Sequence, residues 1–304
     1  MKQIYLIHAH NHLEYLNYLI DCLSGPQSVV YVNIDKKSAI DCHKINPKAV
    51  QVKERVSINW GGWSQCEATI NSLRQINAEQ AQYGHIIFLS GQDLPVYTTA
   101  EIARRLQAGQ QYIDYNSIDE DWPEVKKRVG HFHRSELTRL YIRRKGLAGL
   151  AGKVLYKSVY YLVNGAYRIF KGRWRVLPLG LKAYGGSQWW MLDQDCINYI
   201  LHYIDQHPEL IRFFRTTFCA DELFFQTIIL NSAFRDQVKP ILRYIDWANS
   251  PDGKSPKVLD QEDYEAIKTS GALLCRKVDP VKSLALINHM AHENNWPRFN
   301  ADQI

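Results

Sequence analysis

Short apolar runs alternate with helix-like patterns between residues 3 and 106 of the chain. Residues 13–23 and 67–82 carry apolar side chains three or four positions apart, which is the spacing of an amphipathic helix. Thr98 and Glu101 predict another helix start, because a threonine caps backbone N–H groups and an acid favours the first turn. Buried strands are predicted over residues 3–8, 29–34, 50–52 and 86–90. Strands that alternate with helices favour an α/β fold, with a mainly parallel, Rossmann-like sheet flanked by helices.

Polar residues follow three of these strands at their carboxyl ends. They are His8, Asp35 and the neighbours Gln92 and Asp93. In an open α/β sheet the ligand lies in the crevice outside the carboxyl ends of the strands. These side chains are therefore candidates for a binding site.

The rest of the chain returns to strand and helix signals after a segment of different composition. Strands are predicted over residues 184–192 and 241–247, helices over 194–206 and 221–231, and further elements over 261–269 and 273–277. Residues 116–180 are basic and rich in Tyr and Gly, and they predict a partly helical excursion from the sheet. We expect residues 1–115, 116–180 and 181–304 to form one domain.

The net charge of +6 conceals a strong asymmetry. Between residues 126 and 175 there are 14 Lys and Arg and a single acid, Glu136, so this segment carries +13 and the rest of the chain −7. Such a segment usually meets phosphate, on a nucleic acid, a lipid headgroup or a phosphorylated ligand. A solvated basic face is the plainer alternative.

Composition excludes several other classes of protein. The chain is 46% hydrophobic and 22% charged, as globular proteins are, and it has no apolar run of the length that a membrane-spanning helix needs. Histidines and Asn11 interrupt the first apolar stretch, so the N-terminus does not resemble a signal peptide. Six scattered cysteines without a C-x-x-C pair argue against a zinc ribbon or a disulfide scaffold, and favour reduced thiols in a cytoplasm.

Generic catalytic motifs add little. The chain contains no P-loop, no G-x-G-x-x-G fingerprint and no G-x-S-x-G elbow. Two acidic triplets, 119–121 and 193–195, could hold a divalent cation, because hard cations take carboxylate oxygens. Alternatively, the first triplet lies in a solvated loop and the second begins the following helix. We predict no metal site. His8 and His12 are not expected to bind a metal either, since the sequence shows no further ligand near them.

Seven longer blocks carry a family resemblance. They are residues 29–38, WGGWSQ at 60–65 with Ala68 and Thr69, FLSGQDLP at 88–95, GGSQWW at 185–190, ADELFFQ at 220–226, RYIDW at 243–247 and ALLCRKVD at 272–279. Together they resemble the core-2/I-branching β-1,6-N-acetylglucosaminyltransferase and peptide O-xylosyltransferase family, glycosyltransferase family 14. The resemblance runs in order from residue 4 to residue 279, and only 116–180 is unmatched.

The resemblance implies a GT-A fold and an inverting transfer of GlcNAc or xylose from a UDP-sugar to a glycan hydroxyl, without a metal or other cofactor. Glu222 matches the catalytic base, and Asp221 beside it is expected to be a helix cap or a supporting carboxylate. Arg243 and Lys277 match the two cations that take the place of a metal on the diphosphate. Arg276 is the rival if the register differs by one residue.

The resemblance also implies contacts for the rest of the donor. Asp35, His8 and Trp60 are expected on the uridine side. The substrate side is expected to include the following residues: Asp93, Gly185, Gly186, Ser187, Trp189 and Trp190. One of the two tryptophans should be core and the other a platform for the sugar, because pyranose C–H faces pack on aromatic rings. The glycines would let the substrate approach the backbone.

The chain departs from the animal members of the family, which carry an N-terminal membrane anchor and luminal disulfides. We therefore expect a bacterial member that works in the cytoplasm, at the inner face of the plasma membrane, on a lipid-linked envelope glycan. Residues 1–115 would bind the nucleotide sugar, and 181–304 would hold the base and the diphosphate. Residues 116–180 would face the acceptor or an anionic membrane, with Arg143, Arg144 and Lys145 taking part. A nucleic-acid-binding protein and a catalytically silent sugar-binding module are the alternatives.

Overall fold

The computed structural model describes residues 1–133, 147–171, 174–251, 253 and 255–301. The strands are β1 (Gln3–Ala9), β2 (Ser28–Ile34), β3 (Ala49–Gln51), β4 (His85–Ser90), β5 (Asp93–Pro95), β6 (Gln111–Ile113), β7 (Asn116–Ser117), β8 (Tyr184–Gly185), β9 (Trp190–Asp193), β10 (Val238–Lys239), β11 (Arg243–Ile245) and β12 (Leu274–Arg276). The helices are α1 (Leu13–Leu23), α2 (Ser64–Glu79), α3 (Thr99–Arg105), α4 (Lys126–Gly130), α5 (Leu147–Lys171), α6 (Gln194–Gln206), α7 (Pro208–Phe214), α8 (Phe224–Leu230), α9 (Tyr264–Thr269) and α10 (Leu284–Glu293).

A seven-stranded sheet lies at the centre, in the order β10-β6-β9-β4-β1-β2-β3. The pairs β1–β2, β1–β4, β2–β3 and β10–β6 are parallel, and β9 runs antiparallel to both of its neighbours. The sheet draws β9 and β10 from the second half of the chain and its other strands from residues 1–115. This mixed α/β arrangement, with a mainly parallel sheet between helices, confirms the predicted GT-A fold class.

Both faces of the central sheet are buried, which explains why its strands are continuous apolar runs. In β1, Ile4 and Leu6 pack toward α2, α6 and α8, while Tyr5 and Ile7 pack toward α1 and α3. Successive side chains of a strand point to opposite faces, so one short run supplies both cores.

A second, three-stranded sheet is formed by β11, β12 and β5. β11 runs parallel to β12, and β12 pairs antiparallel with β5 in a register that places Arg276 opposite Asp93. Only two residues separate β4 from β5, so the small sheet begins next to the carboxyl edge of the large one. It brings residues 93, 243 and 276 together at that edge.

Two predicted helix starts, at Thr98 and at Asp193, are confirmed by side-chain caps. The Thr98 side chain accepts from Glu101 N, and the Asp193 side chain accepts from Cys196 N at the start of α6. The second acidic triplet therefore begins a helix, as its plainer interpretation predicted.

The predicted strand over 184–192 is wrong in its middle, and the predicted helix over 221–231 is wrong at its start. Residues 186–189 leave the sheet, because Gly186 N donates to Glu222 O at 2.8 Å instead of to a neighbouring strand. Residues Ala220–Glu222 form a single 3-10 turn, and α8 begins only at Phe224. Both departures occur where residues 186 and 222 meet.

Residues 116–180 contribute β7, α4 and the 25-residue helix α5 to the structure. The basic residues Arg143, Arg144 and Lys145 lie outside the described residues. In the part of the chain that is described, no helix has the length and apolarity that crossing a membrane requires.

Gly186 allows two segments of backbone to approach each other. A Cβ atom at this position would stand 2.2 Å from Asp114 O, which is a backbone atom that cannot rotate away. We predict that Gly186→Ala lowers the free energy of unfolding by about 1–3 kcal/mol, the usual cost of overpacking. Gly165→Ala is the control, since nothing lies within 4 Å of its added Cβ and alanine favours a helix. Urea unfolding of both variants tests this; equal midpoints would contradict it.

Candidate active site

A cleft of about 870 Å³ opens at the carboxyl ends of β1, β2 and β4. Ten of the residues that the sequence analysis placed at a site line the cleft: His8, Asp35, Trp60, Gln92, Gly186, Ser187, Trp189, Glu222, Arg276 and Lys277. These residues span 270 positions of the sequence, from 8 to 277, and the fold assembles them into one cavity. Asp93, Trp190 and Arg243 do not line it.

The lining of the cleft offers a histidine, a carboxylate and an exposed indole. The His8 ring packs edge-on against Phe88, and its Nε2 is buried without a hydrogen-bond partner among the described residues. Burial lowers the pKa of His8 to about 3, so the imidazole is neutral at physiological pH. Asp35 Oδ1 accepts from Lys37 N and fixes the turn that follows β2. Trp60 is 71% exposed and leans on Phe218.

Glu222 stands at the end of the 3-10 turn, and three backbone contacts fix this turn in place. Cys219 N donates to Gly61 O at 3.0 Å, Glu222 N donates to Cys219 O at 3.2 Å, and Gly186 N donates to Glu222 O. Cys219 has a left-handed φ of 51°. The turn thus joins the loop after β3, the loop after β8 and the start of α8, and it presents the Glu222 carboxylate to the cleft.

Arg128 of α4 is the partner of Glu222. Its Nη1 donates to Glu222 Oε2 at 2.6 Å, and both side chains are about one-third exposed. The guanidinium lies 5.6 Å and 5.8 Å from the ring centres of Trp122 and Phe218. The sequence analysis missed this residue, because the basic segment marks a region and does not tell which of its 14 cations reaches the cleft.

Asp221, next to Glu222, does not line the cleft. Its Oδ1 is buried without a hydrogen-bond partner among the described residues, and it does not cap α8, so the predicted cap role is wrong. Burial, reinforced by the neighbouring Glu222 carboxylate, raises the pKa of Asp221 to about 7. The immediate neighbour of Glu222 in the chain is therefore a carboxyl group with a buried oxygen and a raised pKa.

Asp93 pairs with two arginines behind the cleft wall. Its Oδ1 lies 3.1 Å from Arg243 Nε, and its Oδ2 lies 3.3 Å from Arg276 Nη1 and accepts from Ser90 N and Oγ at 2.7 Å each. Arg243 Nη2 also donates to Phe88 O at 2.6 Å. The side chains of Asp93 and Arg243 are both 0% exposed, whereas Arg276 is 16% exposed and lines the cleft.

This arrangement corrects two expected contacts. Asp93 does not face the substrate, because both of its carboxylate oxygens are engaged inside the protein. Arg243 does not reach the cavity either, and Arg276, the rival residue, lies beside Lys277 on the wall instead. The register of β12 against β5 decides this, since it turns Arg276 toward Asp93 at the edge of the cleft.

The two neighbouring tryptophans have different roles. One of them lies in the core, as the sequence analysis expected. Trp190 is 0% exposed and packs on Phe88 and Phe225, so its predicted place in the substrate site is wrong. Trp189 lines the cleft and is held between the guanidiniums of Arg243 and Arg276, at 5.0 Å and 4.6 Å from its ring centre. Trp189 is therefore the tryptophan that is available as a platform.

Gly186 and Ser187 form the adjoining wall. Ser187 O accepts from the Gln226 amide at 2.6 Å, which ties this loop to α8. A Cβ on Gly185 would stand 2.7 Å from Leu223 Cδ2. The missing side chain of Gly185, like that of Gly186, therefore makes room for the protein itself rather than for the substrate.

Two further residues of the cleft escaped the sequence analysis. Asp114 follows β6, and its Oδ1 accepts from Ile241 N at 3.0 Å. Trp247 follows β11 and is 55% exposed on the rim. Asp114 stands at a strand end like Asp35, and that position was the signal that could have identified it.

The first acidic triplet lies apart from the cleft. Asp119 pairs with Lys126 at 2.6 Å, and Asp121 Oδ2 accepts from Ser117 N. Across the residues that the structure describes, no three His, Cys, Asp or Glu side chains cluster as metal ligands do.

The buried charge cluster generates a stability prediction. Asp93→Asn removes the carboxylate that faces two buried guanidiniums, so we expect the free energy of unfolding to fall by about 3–5 kcal/mol. Asp205→Asn is the control, because Asp205 pairs with Arg74 at the surface and its loss should cost at most about 1 kcal/mol. Denaturant unfolding measures both changes. Equal small effects would show that Asp93 does not hold the wall together.

Comparison with known proteins finds distant relatives of this chain. The chain is 22% identical, over 90% of its length, to "Xylosyltransferase oxt" of Drosophila melanogaster, and it spans 31% of that protein. It is 23% identical, over 74% of its length, to the human "Beta-1,3-galactosyl-O-glycosyl-glycoprotein beta-1,6-N-acetylglucosaminyltransferase", and it spans 47% of that protein. Both are animal proteins, so they give no support to the expected bacterial origin. The chain thus spans less than half the length of either relative.

The family model "Core-2/I-Branching enzyme" matches residues 4–268. This range includes β1 to β11, the turn that carries Glu222 and the whole wall from Gly186 to Trp189. The chain therefore belongs to the Core-2/I-branching enzyme family.

Proposed function

We propose that this chain is an inverting glycosyltransferase that moves GlcNAc or xylose from a UDP-sugar to a hydroxyl group of a glycan. The observation that carries the proposal is one cleft lined by a carboxylate, Glu222, and by two cations, Arg276 and Lys277. A transfer of this kind needs a base for the acceptor and positive charge for the departing diphosphate. Family membership and the names of the two relatives support the sugar class.

The reaction is a single displacement. The acceptor hydroxyl oxygen attacks the anomeric carbon, and the bond from that carbon to the β-phosphate oxygen breaks on the opposite side. The hydroxyl proton passes to Glu222, and UDP leaves with the electron pair of the broken bond. Attack opposite to the leaving group inverts the anomeric carbon, and holding both reactants in line supplies much of the rate.

Arg276 and Lys277 stabilise the charge that develops on UDP. An arginine offers a planar pair of donors to phosphate oxygens, and a lysine offers a compact charge. Arg243 and Asp93 support this contact from behind, since Asp93 joins the two guanidiniums and Arg243 packs on the same tryptophan as Arg276. We therefore assign Arg243 a positioning role, instead of the direct diphosphate contact expected from its sequence match.

The uridine would contact His8, Asp35 and Trp60, which all line the cleft. A neutral imidazole with an unpaired, buried Nε2 can exchange a hydrogen bond with a nucleobase, and a carboxylate can accept from ribose hydroxyls. Trp60 offers a ring for packing. The transferred sugar would then lie against Ser187 and Trp189, between the diphosphate and Glu222.

Arg128 orients the base. Its 2.6 Å contact takes Glu222 Oε2, which leaves Oε1 to receive the proton of the acceptor hydroxyl. This role brings residues 116–180 into the active site, at least through α4.

The first functional prediction concerns the base. Glu222→Gln keeps the shape of the side chain and removes its proton acceptor, so transfer should fall by roughly two to four orders of magnitude while UDP binding survives. Product formation from both candidate UDP-sugars, with UDP binding by calorimetry, measures the two effects. Near wild-type transfer by this variant would disprove the assignment. A wild-type protein that binds a sugar without transferring it would indicate the silent sugar-binding module.

The second functional prediction concerns the diphosphate. With Arg276 and Lys277 acting in place of a divalent ion, we expect activity to persist in EDTA. Each charge-assisted contact contributes about 1.5–3 kcal/mol. Arg276→Ala or Lys277→Ala should therefore lower the affinity for UDP itself by roughly tenfold or more. Arg74→Ala, at the surface, is the matched control and should bind UDP normally.

Two outcomes would count against this prediction. The first is strict dependence on Mn²⁺ that is abolished by changing Asp119 and Asp121, because that would restore the acidic triplet as a metal site. The second is binding of any nucleic acid with a steep salt dependence and no affinity for UDP, which would support the nucleic-acid alternative.

We also propose a cytoplasmic, bacterial setting for the reaction. All six cysteines are free thiols, and five of them are buried in the two halves that flank residues 116–180. Thiols persist in a reducing compartment. Fractionation of cells that produce the protein would test its location directly.

A further inference from the structure

Helix α5 carries an apolar stripe, interrupted by Ser158 and Gly165, whose side chains are exposed in the part of the protein that the structure describes. The stripe consists of Val154, Leu155, Tyr161, Leu162 and Ile169, which are 58%, 66%, 70%, 72% and 78% exposed. Val154 and Tyr161 are seven residues apart, and so are Leu155, Leu162 and Ile169. Seven residues make about two turns, so all five side chains lie on one side of the helix, along roughly 20 Å. Exposed stripes of this size mark an interaction surface.

The opposite side of α5 faces the protein. Asn164 is 2% exposed, and Tyr160 and Val163 are half-buried. The helix therefore has one side with exposed apolar side chains and an opposite side whose described side chains are at least partly buried. Trp174 and Val176, which follow the helix in the chain, are exposed apolar side chains as well.

The charge of α5 indicates which kind of partner fits the stripe. Its sequence contains Lys153, Lys157, Arg168 and Lys171 and no Asp or Glu, within a segment that carries +13. Two copies of α5 packed on each other would bring like charges together without acids to pair them, which disfavours a helical dimer. An anionic lipid surface offers both an apolar layer for the stripe and negative headgroups for the cations.

The position of α5 relates this surface to the cleft. After the helix, the Trp174 ring packs edge-on against His131 at 5.3 Å, and it would contact a Cβ on Gly130. Gly130 ends α4, two residues after Arg128, which holds Glu222. The carboxyl end of α5 is thus adjacent to the helix that reaches into the active site.

We propose that the Val154–Ile169 stripe of α5 docks on an anionic lipid bilayer and lies flat in its headgroup region. Docking holds the cleft close to the membrane surface, where an acceptor glycan attached to a lipid would present its sugars. The lipid-linked class of acceptor rests on the proposed function, whereas the docking itself does not.

The test is co-sedimentation of the full chain with vesicles of phosphatidylcholine alone and of phosphatidylcholine with phosphatidylglycerol. We expect binding to the anionic vesicles that weakens as salt is raised. Leu162→Glu should lower the partition coefficient about tenfold or more. The change removes a leucine that would be buried in the bilayer, and it adds a negative charge that the anionic headgroups repel. Val281→Glu, at an apolar residue 60% exposed elsewhere on the protein, is the matched control and should bind as the wild type does.

Glutamate favours a helix about as well as leucine, so Leu162→Glu should keep α5 folded, and far-UV circular dichroism checks this. Three results would overturn the proposal. They are equal pelleting with neutral and anionic vesicles, no pelleting with either, or a dimer in sedimentation velocity that Leu162→Glu dissociates, which would identify a second copy as the partner.

Vesicle binding needs neither donor nor acceptor, so its failure is distinguishable from a failure of the proposed function. The acceptor class is measured separately, with the same glycan in soluble and in lipid-linked form. Leu162→Glu should reduce transfer to the lipid-linked form alone. Equal transfer to both forms by both proteins would overturn the lipid-linked acceptor and leave the glycosyltransferase proposal intact.

Discussion

The pairing of Asp93 with Arg243 and Arg276 is the interaction on which the geometry of the cleft depends. One buried carboxylate receives two guanidiniums, and it receives them from strands that lie about 150 and 180 residues further along the chain. Buried charges of this kind are costly unless they are paired. The small sheet must therefore form in one register, and that register places Arg276 and Lys277 on the wall of the cavity.

A second constraint fixes the opposite side of the cleft. The turn at Ala220–Glu222 is held by backbone hydrogen bonds from the loops at Gly61 and Gly186, and Gly186 in turn packs against the backbone at Asp114. The candidate base is thus positioned by several loops at once and not by a regular helix. Arg128 adds a contact from residues 116–180, so this segment completes the site as well as providing the surface of α5.

The two proposals use different parts of residues 116–180. Arg128 belongs to the chemistry, because it touches the candidate base directly. The stripe of α5 belongs to the proposed membrane contact, because its side chains are exposed and are not among the residues that line the cleft. The two proposals thus divide the concentrated positive charge between a site and a surface, and among the described residues of the segment Arg128 is the cation that pairs with Glu222.

The sequence by itself determined the alternating strands and helices, the caps at Thr98 and Asp193, the candidate base and the strand ends that carry His8 and Asp35. These features depend on local patterns and on blocks of contiguous residues, which a single chain displays directly. Tertiary structure alone decided that Arg276, rather than Arg243, lines the cleft, that Trp190 is core while Trp189 is not, and that Arg128 reaches Glu222. The physical reason is that burial and pairing depend on strand register and on contacts between distant residues, and neither leaves a local pattern in the sequence.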